Sequence, residues 1–149
     1  MLTKKTLHSS ILIKLNERIE QLKTALKDTL DATANETKSS AGDKHETGRA
    51  MAQLEQEKLG GQINEVIKLK EALLRLNPET PCNTVCLGSM VLTSMGKFYI
   101  SVGIGAQIID GQSIFCMTPL APICQSMLGK KAGDSISWQG NEIRIMSIS

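Results

Sequence analysis

The chain has 149 residues, 41% of them hydrophobic and 21% charged, with a formal net charge of +2. That is enough apolar material for one ordinary domain or two small ones, and too little charge for tight sequence-independent binding of nucleic acid. Aromatic residues make up only 3%, which argues against stacking platforms for single strands and against aromatic-lined ligand pockets.

Charge is spread evenly: residues 1–78 hold 13 Lys and Arg against 11 acids, and residues 79–149 hold four of each. The first residues, MLTKKTLHSSILIKLNE, carry a short apolar run broken by Lys14 and no small-residue cleavage site, so they do not read as a signal peptide. No stretch approaches the roughly 18 apolar residues of a membrane span, and a cytoplasmic address is expected.

Up to Leu76 the sequence has no proline and repeats its apolar residues at helical spacing. Leu12, Leu15, Ile19, Leu22 and Leu26 step by three and four, and so, further on, do Leu59, Ile63, Val66, Leu69, Leu73 and Leu76. Such a narrow stripe is the seam of a coiled coil. Paired as 12 with 76, 15 with 73, 19 with 69 and 22 with 66, the residue numbers share one sum, as an antiparallel hairpin requires. Half of that sum falls at Lys44. Residues 1–77 are therefore expected to form an antiparallel coiled-coil hairpin with an acidic tip near 40–47, each arm roughly 40 Å long at about 1.5 Å per residue. Gly60 and Gly61 weaken the second helix and mark a bend or a close approach of the first.

From Pro78 onward glycines, prolines and β-branched residues arrive together, so residues 78–83 read as a linker and 84–149 as a second domain. Short apolar runs near 85–93, 97–104, 106–109, 113–117, 135–138 and 142–148 predict strands, with Asp110-Gly111 and Gln139-Gly140-Asn141 as hairpin turns. A short helix fits at 122–128. The fold class is α+β: a helical hairpin followed by a small, mostly antiparallel β domain. Cys82, Cys86, Cys116 and Cys124 show no two-residue spacing and sit among apolar neighbours, so buried thiols are expected rather than a disulfide scaffold or a zinc knuckle.

The segment "SSAGDKHETGR", residues 39–49, concentrates small and charged residues where the hairpin reverses. Asp43 and Glu46 admit two local readings. In one they form a capping box at the start of the second helix. In the other Ser40 is the cap and the two acids share one exposed face at i and i+3. Two carboxylates rarely hold a hard divalent cation alone, so a metal role needs a partner to supply the remaining ligands. Lys38, Lys44 and Arg49 flank the acids as candidate contacts to phosphates or to acidic surfaces. Lys130 and Lys131 stand beside a turn of the second domain.

"GDKHET", residues 42–47, and "APICQSMLGKKAGDSISW", residues 121–138, resemble the tip pattern and the C-terminal signature of the Gre family of bacterial transcript cleavage factors. The second match fixes Pro122, Ile123, Leu128, Gly129, Lys130, Gly133 and Asp134 in order, and the likeness in domain order covers nearly the whole chain. The resemblance implies an FKBP-like β domain and a coiled coil that enters the secondary channel of bacterial RNA polymerase. It further implies that Asp43 and Glu46 help the polymerase hold a shared magnesium ion, so that the polymerase's own active site cuts the 3′ end of backtracked RNA. On that reading the chain is no enzyme by itself, and it has no Gly-rich phosphate loop or other self-sufficient catalytic set.

The chain departs from the family pattern at Thr47, Gly48, Arg49 and Ala50, where the family has Asn-Ala-Glu-Tyr after the second acid, and at Cys124, where it has glycine. The runner-up is accordingly a channel-binding regulator of RNA polymerase without cleavage activity. A prolyl isomerase reading has only Phe98, Tyr99, Phe115 and Trp138 to line a site, and a purely structural coiled-coil adaptor would leave the two acids replaceable.

Overall fold

The computed structural model describes the backbone of residues 2–38 and 43–149, and the side chains of residues 2–34 and 47–149. Helix α1 spans Lys4–Lys38 and α2 spans Asp43–Leu74. Thr3 caps α1, its hydroxyl accepting the Thr6 amide at 3.1 Å, and no proline interrupts either helix before Pro78. The fold is α+β, with two long helices followed by a six-stranded, mostly antiparallel sheet. The chain forms two compact units, one of Met1–Leu12 with Glu71–Ser149 and one of Ile13–Lys70. Among the described residues no helix is long and apolar enough to cross a membrane.

Within the unit Ile13–Lys70 the two helices pack antiparallel through their apolar rows. Leu22, Leu59 and Ile63 are buried together, with Ala25, Leu26, Val66 and Ile67 half-buried around them, and Leu15 and Ile19 continue the buried row. Toward the turn the seam becomes polar. Gln56 Nε2 donates to Thr33 Oγ1 at 3.2 Å, which extends the same antiparallel register. Thr29 and Thr33 bend their hydroxyls back onto the carbonyls of Ala25 and Thr29, each at 2.9 Å, while Leu30, Met51 and Leu54 stay exposed. At the other end of α1 the fully buried side chain is Ile11 rather than Leu12, because the buried face there runs Lys4, Leu7, His8, Ile11.

In the other unit the strands are β1 Met90–Thr93, β2 Gly96–Ile100, β3 Gly105–Ile109, β4 Gln112–Met117, β5 Ser135–Trp138 and β6 Asn141–Ile148, in the spatial order β3-β4-β2-β1-β6-β5. Two-residue turns join β3 to β4 through Asp110-Gly111 and β5 to β6 through Gln139-Gly140. All four turn residues have positive φ, between 48° and 80°, as type I′ hairpins demand. The β2–β4 pair alone is parallel among the named pairs, since β4 returns beside β2 after the β3 hairpin.

The run expected as a strand from residue 85 begins one only at Met90. Residues 86–89 instead close a turn in which Ser89 donates its amide to the Cys86 carbonyl at 3.0 Å and Gly88 takes φ +92°. Helix α3, Pro122–Met127, lies on one face of the sheet. Val85, Val91, Phe98, Ile100, Met117, Cys124, Met127, Ile136, Ile143 and Ile145 make the core beneath it. Each of these side chains apart from Cys124 contributes about 1.5–3 kcal/mol on burial.

Gly60 and Gly61 do not serve a close approach: a Cβ built at either meets no heavy atom within 4 Å. What remains is their helix-weakening cost of about 1 kcal/mol each relative to alanine. Gly60→Ala and Gly61→Ala are therefore expected to raise stability by about 0.5–1 kcal/mol apiece, read as an upward shift of the urea midpoint at constant m.

Candidate functional site

The antiparallel register means that the sequence joining α1 to α2, which carries the Gly-Asp-x-x-Glu pattern, connects them at one end of the hairpin. The side chains of Lys38, Asp43, Lys44 and Glu46 lie outside the described residues, as does the choice between the two capping readings of Asp43. Just beyond them Thr47 and Arg49 are exposed and Gly48 is half-buried on α2. Among the described residues no group of three or more His, Cys, Asp or Glu could hold a metal ion. A cation at Asp43 and Glu46 would have two carboxylates of the six or so oxygen ligands a hard cation needs, so the rest must come from outside the chain.

The second motif, residues 121–138, resolves into a set of backbone duties. Pro122 opens α3, where a missing amide is harmless. Gly129 takes φ +80° just past the helix and donates its amide to the Val85 carbonyl at 2.9 Å, while the Val85 amide bonds the Lys130 carbonyl at 2.9 Å. Asp134 Oδ2 accepts the Lys131 amide at 2.8 Å, closing a tight turn that the Asp134 amide completes onto the Lys131 carbonyl at 3.0 Å. Gly133, at φ +95°, donates to the Ile145 carbonyl at 2.7 Å and ties the turn to β6. The motif thus specifies a fold feature. Lys130 and Lys131 stand exposed on it, in the sheet-bearing unit, whereas Arg49 belongs to the hairpin unit.

Sequence reasoning missed a polar cluster at the start of α1. Lys4 is 7% exposed and donates to the Thr80 carbonyl at 2.6 Å and to Cys82 Sγ at 3.6 Å. His8 is 6% exposed, with its Nδ1 2.7 Å from the Tyr99 hydroxyl and the two rings edge to face. The available signal was periodicity: Lys4 and His8 share the helical face of Leu7 and Ile11. Burial lowers the His8 pKa and raises that of the Tyr99 phenol, so at neutral pH both are uncharged. An uncharged, enclosed pair joined to each other is a packing device that fixes the first turns of α1 against β2.

No protein-family model matches the chain, and no curated protein matches it.

Because the folded state holds His8 neutral, it binds fewer protons than the unfolded chain once pH falls below the ordinary histidine value of 6.5. The contribution of His8 is present in full above that pH and is lost progressively as pH drops toward the depressed folded value. Urea midpoints measured between about pH 7.5 and 5 should fall toward acid, and His8→Asn should flatten that limb while lowering stability at neutral pH.

Proposed function

We propose that this chain is a transcription elongation factor for bacterial RNA polymerase, a coiled-coil hairpin carried by an FKBP-like β domain. The hairpin tip enters the secondary channel and stimulates the polymerase's intrinsic cleavage of backtracked RNA. The observation that carries this reading is the antiparallel register, in which the segment with Asp43 and Glu46 joins the two helices at one end. A hairpin of this length reaches a site too narrow for a globular domain. Acids at its end can act far from the unit that docks.

The chain's own part is to present two carboxylates. In a polymerase active site Asp43 and Glu46 supply the missing oxygen ligands of a shared magnesium ion and accept hydrogen bonds from the attacking water. That ion, when bound, stabilises charge on the entering and leaving oxygens of phosphodiester hydrolysis. Lys38, Lys44 and Arg49 neutralise RNA phosphates near the acids, and Lys130 and Lys131 contact the outer rim of the enzyme. Catalysis then resides in the polymerase, and the factor is inert alone.

Thr47-Gly48-Arg49 supports a second reading, a regulator that occupies the channel without promoting cleavage, because an added cation stands within one helical turn of Glu46. One experiment separates the two. With cognate polymerase stalled on backtracked RNA in magnesium, the wild-type chain shortens the transcript, and Asp43→Asn with Glu46→Gln reduces the rate by about 100-fold or more while binding persists. Undiminished cleavage by the double variant excludes the role of the acids. Binding with altered initiation and no shortened RNA moves the chain to the second reading.

A further inference from the structure

Two of the four cysteines contradict the expectation of buried thiols. Cys116 and Cys124 are buried, but Cys82 and Cys86 are half-exposed, and their sulfurs lie 3.6 Å apart with the Cys86 thiol directed at Cys82. The Lys4 ammonium donates to Cys82 Sγ at 3.6 Å. All three residues belong to the unit of Met1–Leu12 and Glu71–Ser149.

The two cysteines are held differently. Cys86 is fixed: its amide bonds Ser89 Oγ at 3.1 Å, and its carbonyl accepts both the Ser89 hydroxyl at 2.7 Å and the Ser89 amide at 3.0 Å. Cys82 sits in the Pro78–Asn83 segment between α2 and the sheet and lines two clefts, of about 610 Å³ and about 260 Å³. A small molecule therefore reaches Cys82 first. A disulfide would bring the two sulfurs from 3.6 Å to roughly 2.0 Å.

We propose that Cys82 and Cys86 form a reactive dithiol, with Lys4 as its charge-stabilising partner, that is oxidised by low-molecular-weight disulfides. Cys82 loses its proton to solvent, and the thiolate, paired with the Lys4 ammonium, attacks one sulfur of RSSR. The S–S bond of RSSR breaks, RS⁻ leaves and takes a proton, and a mixed disulfide remains on Cys82. The Cys86 thiol then loses its proton, attacks the Cys82 sulfur and expels the second RS⁻, which is protonated in turn. Two protein thiols and one RSSR become one protein disulfide and two RSH, the protein giving up two electrons and the small disulfide gaining them.

Burial, and then the hydrogen bond and charge of Cys82, raise the Cys86 pKa against a smaller lowering by Lys4, which keeps Cys86 the resolving thiol. The order of attack follows from the two clefts that Cys82 lines and from its hydrogen bond with Lys4. The bridge would pin the segment between α2 and the sheet to the Cys86 turn.

Both cysteines fall in one tryptic fragment, residues 76–97, so the bridge reads directly as a deficit of two hydrogens in its mass. Reduced full-length protein is incubated with oxidised glutathione, acid-quenched, alkylated and mapped. The expected product is the internally bridged fragment with no lasting glutathione adduct. Cys86→Ser should trap glutathione on Cys82, whereas Cys82→Ser should react roughly tenfold more slowly at Cys86. Lys4→Gln should slow the first step several-fold and Lys4→Arg should restore most of the rate. A wild-type fragment left with two alkylated thiols, or with stable glutathione on either cysteine, overturns the dithiol. A rate unchanged in Lys4→Gln overturns the part given to Lys4.

Discussion

The apolar seam between α1 and α2 is the constraint on which the position of every candidate tip residue depends. Leu15, Ile19 and Leu22 on one helix and Leu59 and Ile63 on the other are buried in an order that only antiparallel pairing satisfies, and Thr33 with Gln56 carries that order outward. Advancing one helix by a single residue, a rotation of about 100°, would carry its own buried leucines or isoleucines off the seam, at about 1.5–3 kcal/mol each. The register is thus held by several side chains at once. With it fixed, the chain has no freedom to place Asp43 and Glu46 anywhere but beyond the polar end of the seam.

That polar end is as informative as the apolar one. Past Leu26 and Leu59 the facing residues become Thr29, Thr33 and Gln56, while Leu30, Met51 and Leu54 are exposed. A seam that trades hydrophobic burial for hydroxyl and amide contacts is less stable locally and tolerates water. At the other end of α1, Lys4 and His8 replace apolar positions with groups that find fixed partners in Thr80, Cys82 and Tyr99 within the same unit.

Much of this was legible in residue order because it is written in local periodicity and turn chemistry. The hairpin register followed from the step of three and four in Leu15 to Leu26. The turns at Asp110-Gly111 and Gln139-Gly140 followed from residues that tolerate positive φ, and α3 from a proline start and a glycine stop. Nonlocal features were not legible. The parallel pairing of β2 with β4 depends on which edge the β3 hairpin occupies. The contact of Cys82 with Cys86 depends on the turn at 86–89, which sequence patterning read as strand. The signature at 121–138 was legible as a match, and its physical content is backbone geometry at Gly129, Gly133 and Asp134. It therefore specifies the shape of the sheet unit.

Reach separates a tip that acts at a distance from acids that merely cap a helix. Removing residues 30–36 and 52–58 together deletes one matched seven-residue repeat from each arm. It keeps the buried seam and the acidic segment, and shortens the hairpin by about 10 Å. The measurement is transcript cleavage by backtracked polymerase with this shortened chain at saturating concentration. If the acids act at the end of a reaching arm, the shortened chain binds polymerase and cleavage falls to the level without factor. Cleavage at the full-length rate would contradict that placement.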